Sequence, residues 1–88
     1  MNEIEIGIVR HFFDKIGVVV IELMTGDLAI GDSIHIKGHT TDVTCKVESM
    51  RLEKDVIEKA AQGQSVGIKI EGKARVHDKV YKINVGNE

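Results

Sequence analysis

Four histidines, one cysteine and fourteen acidic residues are the groups with which this 88-residue chain could do chemistry. His35 and His39 lie four apart, a spacing that aligns two metal ligands on a helix but not across a junction of strand and loop. Cys45 together with His11 or His77 would enlarge that set, but the spacings match no zinc pattern, and the histidines read as solvated or structural. Cys45 falls on the inward side of an alternating stretch and reads as a small, unreactive, buried hydrophobe. Glu3/Glu5 and Asp27/Asp32 have the residue types of an acid–base pair. Nothing beside them would raise a pKa, and Asp next to Gly is ordinary turn chemistry. The chain has no Gly-rich loop ending in Gly-Lys-Ser/Thr, no Gly-x-Ser-x-Gly elbow and no His-Glu-x-x-His helix. The expectation is therefore a protein without catalysis, metal, cofactor or bound nucleotide.

Binding chemistry is better represented. Net charge is −2, yet residues 1–44 carry −4 and residues 45–88 carry +2. Between positions 69 and 82, five basic residues (Lys69, Lys73, Arg75, Lys79 and Lys82) face two acidic ones, with His77 in addition. Such a basic crossing suits phosphate contacts through counterion release, or else is a solvated face that keeps the chain soluble. The adjacent Phe12 and Phe13 cannot both enter one core from an extended chain. Either one of them anchors a partner or a stacked base, or the loop folds over and buries both.

The elements that must position these groups are strands. Period-two alternation broken every eight to twelve residues by Gly, Asp, Asn, Ser and Thr is the pattern of a barrel or sandwich, and the chain holds no proline. Ile4, Ile6 and Ile8 form the inward face of a first strand. Val18, Val20 and Leu23 belong to a second, which is apolar on both faces and so is either central or covered by something else. Ile34 and Ile36 make a third. Val43, Cys45 and Val47, then Met50 and Leu52, make a fourth whose phase slips at Glu48-Ser49, predicting a β-bulge. Lys54 to Gln62 carries apolar residues at helical spacing and reads as a short ordered connection ending at Gly63. Val66, Ile68 and Ile70, then Val80, Tyr81, Ile83 and Val85, complete six strands in one all-β domain spanning residues 1–88. The expected fold is a six-stranded antiparallel closed β-barrel of Greek-key type, with at least five strands and no helix beyond about ten residues. The acidic N-terminus and the lone cysteine point to a reducing, cytoplasmic setting, with no membrane involved.

Three segments resemble the second-domain β-barrel of translational GTPases such as elongation factor Tu and its selenocysteine-specific relative. They are Gly17 to Ile36 with its Gly-Asp turns, Lys46 to Arg51, and Ala60 to Ile70. The resemblance implies a module that contacts tRNA, ribosomal RNA or a translation factor. It also implies a pocket formed by Glu48, Met50, Arg51, Gln64 and Ser65, where Met50 replaces an aromatic residue and Ser65 an asparagine. The small barrels appended to some collagenase-like peptidases have a similar look and are not translation factors.

Two functions follow from different classes. One is an RNA- or ribonucleoprotein-binding module of the translation apparatus, using the implied pocket or the basic crossing of Lys69, Lys73, Arg75 and Lys79. The other is a protein-interaction barrel that completes or scaffolds a larger enzyme in trans, for which an exposed apolar patch at Phe12, Phe13 and Ile16 would speak.

Overall fold

The computed structural model describes residues 2–84, and Val85, assigned to the last strand from its pattern, lies outside them. Ten strands and, among the described residues, no helix follow from a chain rich in Ile and Val. In order they are β1 (Asn2–Phe13), β2 (Val18–Leu23), β3 (Leu28–Ala29), β4 (Ser33–Lys37), β5 (Asp42–Lys46), β6 (Met50–Leu52), β7 (Asp55–Ile57), β8 (Lys59–Ala60), β9 (Ser65–Lys69) and β10 (Lys79–Asn84). Eight of them form one antiparallel sheet in the order β5-β4-β10-β1-β2-β9-β6-β7, and β3 pairs with β8 in a separate ribbon. The sheet ends at β5 on one side and β7 on the other, and no ladder joins these edges. The all-β class holds, but the expected closed barrel of six strands does not form. Short turns at residues 47–49 and 53–54 divide what the sequence presents as longer runs.

One core lies against the inner face of this bent sheet. It joins Ile6 and Val9 of β1, Val19, Ile21 and Leu23 of β2, Ile34 and Ile36 of β4, Val66 and Ile68 of β9 and Val80 of β10, with Leu28, Val47, Met50, Ala60, Ile70 and Ala74 closing it. β1 is long enough to serve two neighbours, its first half pairing with β10 and its second with β2. Two register shifts, between Glu5 and Gly7 and between Val9 and His11, change its phase. Ile6 and Val9 therefore point inward while Ile4, expected inside, is 52% exposed. Gly7 sits where the backbone of β2 comes closest: a Cβ there would lie 2.3 Å from the carbonyl oxygen of Glu22. The turns expected at Gly31 and Gly63 have positive φ, 100° and 92°.

The bulge expected at Glu48-Ser49 is instead a change of partner. β5 pairs with β4, whereas β6 pairs with β7 and β9, and residues 47–49 carry the chain across. Val47 crosses as a fixed point, its N–H donating to the Asp32 carbonyl and its own carbonyl accepting from Gly31. Val47 and Met50 are fully buried, but Val43, Cys45 and Leu52 only partly so, because they belong to two different edges. The helical spacing over Lys54–Gln62 is equally misleading. Asp55–Ile57 folds back on Met50–Leu52 as a hairpin, and Lys59–Ala60 pairs with Leu28–Ala29.

Candidate functional site

The outward face of β2 is the place to start, because Val18 and Val20 alternate with the buried Val19 and Ile21 yet remain only half-covered. Cross-strand register sets their neighbours. Phe13, Val18 and Lys69 lie in one row, and His11, Val20, Gly67 and Arg51 in the next. The β1–β2 turn is closed by Ile16 and Gly17 N–H groups donating to the Phe13 carbonyl, at 3.2 and 2.8 Å. The Ile70 N–H donates to Gly17 at 2.8 Å and fastens the turn beside β9. Phe13, Val18, Val20, Arg51, Gly67 and Lys69 enclose a groove of about 580 Å³, bordered also by Ile16, Ser49, Glu53 and Ser65. Gly67 contributes no side chain in mid-strand, and a Cβ there would meet Val18 Cγ1 at 3.3 Å, so the floor stays low.

The chemistry of the groove is apolar with a charged border, on which Arg51 and Lys69 outnumber Glu53. Phe13 is 45% and Ile16 59% exposed, and the Phe13 ring leans on His11 with centroids 4.3 Å apart. Arg51 and Lys69 flank the floor diagonally, and among the described residues neither has a carboxylate within ion-pair distance. Large apolar groups left uncovered beside unpaired cations suit a polypeptide surface. No cluster of three or more metal-ligating side chains occurs among the described residues. No helix of the described residues is long and apolar enough to cross a membrane.

The residues of the implied tRNA-end pocket do not come together. Met50 is fully buried in the core. Gln64 caps its own turn, its Oε1 accepting from the Ala61 N–H at 2.8 Å. Glu48 opens onto a second hollow, of about 390 Å³, with Cys45, Ser49, Lys69 and Glu71. Only Arg51 and Ser65 of that set border the groove, joined there by Lys69 of the basic crossing. Arg75 and Lys79 line a separate hollow, and Lys73 lies exposed in the chain leading to it. Of the adjacent aromatics, Phe12 packs on the core and Phe13 faces outward, because the second register shift of β1 falls just before them. Sequence reasoning did not find Val18, Val20 and Gly67 as a site. The signal was there in a strand apolar on both faces.

His35 is the most tightly held polar group. Its Nδ1 lies 2.8 Å from Glu3 and its Nε2 2.5 Å from Asp42, with the side chain 13% exposed. The hydrogen bond to Asp42, followed by those to Glu3 and both negative charges, raises its pKa against the opposing effect of burial. It is a clamp between β1, β4 and β5. Cys45 is half-buried, and desolvation pushes its thiol up, away from reactivity.

With this geometry in place, comparison with known proteins bears on the two readings. No family model matches the chain. Over 88 residues it is 39% identical to a collagenase of Porphyromonas gingivalis, an alignment that takes in 99% of this chain and 21% of that protein. It is 44% identical over 81 residues to a protein of Methanocaldococcus jannaschii described as an uncharacterized protease, covering 91% of this chain and 20% of the relative. Its relatives are proteases. The chain spans about one fifth of the length of the curated relatives it matches. The fold is that of the C-terminal domain of a Geobacillus thermoleovorans protein described as a U32 peptidase, with a TM-score of 0.83, 19% identity and 93% of each chain covered. The selenomethionine form of that domain gives a TM-score of 0.80 at 15% identity. The resemblance to translational GTPases is thus overturned, and with it the reading as an RNA-binding module that contacts tRNA or a translation factor. The two fold patterns share Gly-Asp turns and alternating Ile and Val, which any small antiparallel sheet needs, so the shared residues report architecture and not function.

Proposed function

We propose that this chain is a peptidase-associated β domain that docks on another protein chain and so completes or scaffolds a protease, without itself cleaving the peptide bond. The carrying observation is the apolar groove over β2 and β9, open at Phe13 and Ile16, in a domain that aligns end to end with one fifth of its protease relatives. Phe13 and Ile16 are about half covered already, so completing their burial in an interface contributes about 1 kcal/mol each, and several such groups together anchor a partner. Arg51 and Lys69 at the border then select an acidic rim on that partner and help orient it.

The test uses the Porphyromonas gingivalis collagenase from which the matching fifth has been removed. Mixed with the 88-residue chain, it should form a complex by calorimetry and regain cleavage of a collagen peptide. Absence of a complex, with peptidase activity indifferent to the added chain, would overturn the proposal.

A further inference from the structure

Lys37 of β4 and Lys79 of β10 are direct cross-strand partners. Both point outward, since the preceding pair, Ile36 opposite Val80, is fully buried. Side chains so placed have Cβ atoms about 4.5–5.5 Å apart, and like charges there destabilise the pairing. Two carboxylates lie near, and among the described residues neither is within ion-pair distance of these lysines. Asp42, opposite Lys37 on β5, is held by His35 Nε2. Asp78 is 7% exposed, and its Oδ2 accepts the Arg75 N–H at 2.8 Å to close the turn. Among the described residues Lys37, Arg75 and Lys79 have no ion-pair partner, while Arg10 and Lys82 do. These three cations share one hollow of about 390 Å³ with His39, His77 and a single carboxylate, Asp78. The segment presenting them is firmly held: the His77 N–H donates to the Val9 carbonyl and the Val9 N–H to the Asp78 carbonyl, both at 2.8 Å. His77 is fixed there at φ 79°, a backbone region that costs a residue with a side chain.

We infer that this hollow, between the β4–β5 loop and the turn before β10, is a binding site for a phosphate group. A doubly charged tetrahedral oxyanion takes the fork of Arg75 in a bidentate contact and the two lysines as point charges, removing the repulsion that the bare site carries. Asp78 offsets one of the hollow's three cationic charges, so a dianion balances the remaining two where a single carboxylate would leave one over. The site is independent of the apolar groove and of the docking proposed there.

Backbone amide NMR of the whole chain, titrated with inorganic phosphate and separately with glycerol 3-phosphate against sodium chloride of equal ionic strength, tests the inference. Saturable shifts should appear at residues 37–40 and 75–79 with dissociation constants of about a millimolar or below. Tighter binding of glycerol 3-phosphate identifies an ester as the source, and equal or weaker binding identifies the free ion. Lys37→Ser/Lys79→Ser should weaken phosphate at least tenfold, whereas Lys15→Ser should leave it unchanged. Without phosphate, Lys79→Ser should raise the melting temperature by about 1–3 °C, since it ends the repulsion. Shifts that do not saturate, that chloride reproduces, that an oligoglutamate peptide reproduces at equal concentration, or that survive the double substitution would overturn it.

Discussion

At the scale of single residues, the polar groups that looked free for chemistry are committed to holding strands. From β4, His35 reaches Glu3 of β1 across the intervening β10 and Asp42 on the neighbouring β5. Its raised pKa means that the folded chain binds the proton more tightly than the unfolded one. The stabilisation is therefore fully present below the ordinary histidine value near 6.5 and is lost as pH rises through the higher folded value. Both carboxylates are partly solvated, so the effect is modest. His35→Gln should lower stability by about 1 kcal/mol at pH 5.5 and by progressively less above neutrality, read by urea denaturation at several pH values. A pH-independent difference would show that the ring acts by packing on Tyr81, whose centroid is 6.3 Å away.

At the scale of elements, β9 and β2 build the groove between them, and Gly67 keeps its floor open. Gly67→Leu should fill it. The new Cβ would press Val18 Cγ1 at 3.3 Å, a contact that a few tenths of an ångström of movement relieves, and strands favour a larger residue over glycine. Stability should change by no more than about 1 kcal/mol, while binding to the truncated collagenase falls at least tenfold. Retained binding with a filled groove would move the docking surface elsewhere. The two faces of β2 were legible in the sequence as a strand apolar throughout. Which valines faced inward was not, because the phase depends on pairing with Ile68 and Val66 of β9, more than forty residues away.

At the scale of the whole molecule, the first and last strands of the described residues are neighbours at the centre of the sheet. β10 contributes Val80 to that core and joins β4 to β1. Termination before Lys79 should therefore abolish cooperative unfolding altogether, checked by thermal circular dichroism, since β4 and β5 would lose their only ladder to the remaining sheet. A cooperative transition in the shortened chain would mean that the core does not need this connection. The same arrangement explains how a domain of this size holds together with one free cysteine and no disulfide.

By itself the sequence determined an all-β chain, the turns at Gly31 and Gly63, and the lack of common catalytic motifs, because alternation and turn chemistry are local properties written in neighbouring residues. It also offered Phe12, Phe13 and Ile16 as an exposed patch, of which the structure exposes Phe13 and Ile16 and packs Phe12 on the core. Tertiary structure decided the rest. Residues 47–49 pass from one sheet neighbour to another, so a phase slip that reads as a bulge is a change of partner. Glu48, Met50, Arg51, Gln64 and Ser65, near one another in a borrowed pattern, are divided among the core, a turn and two hollows. Lys37 and Lys79 stand 42 positions apart in the chain and meet only through the β4–β10 register. Long-range pairing, which no local pattern encodes, is what gathers such residues into a site or scatters them.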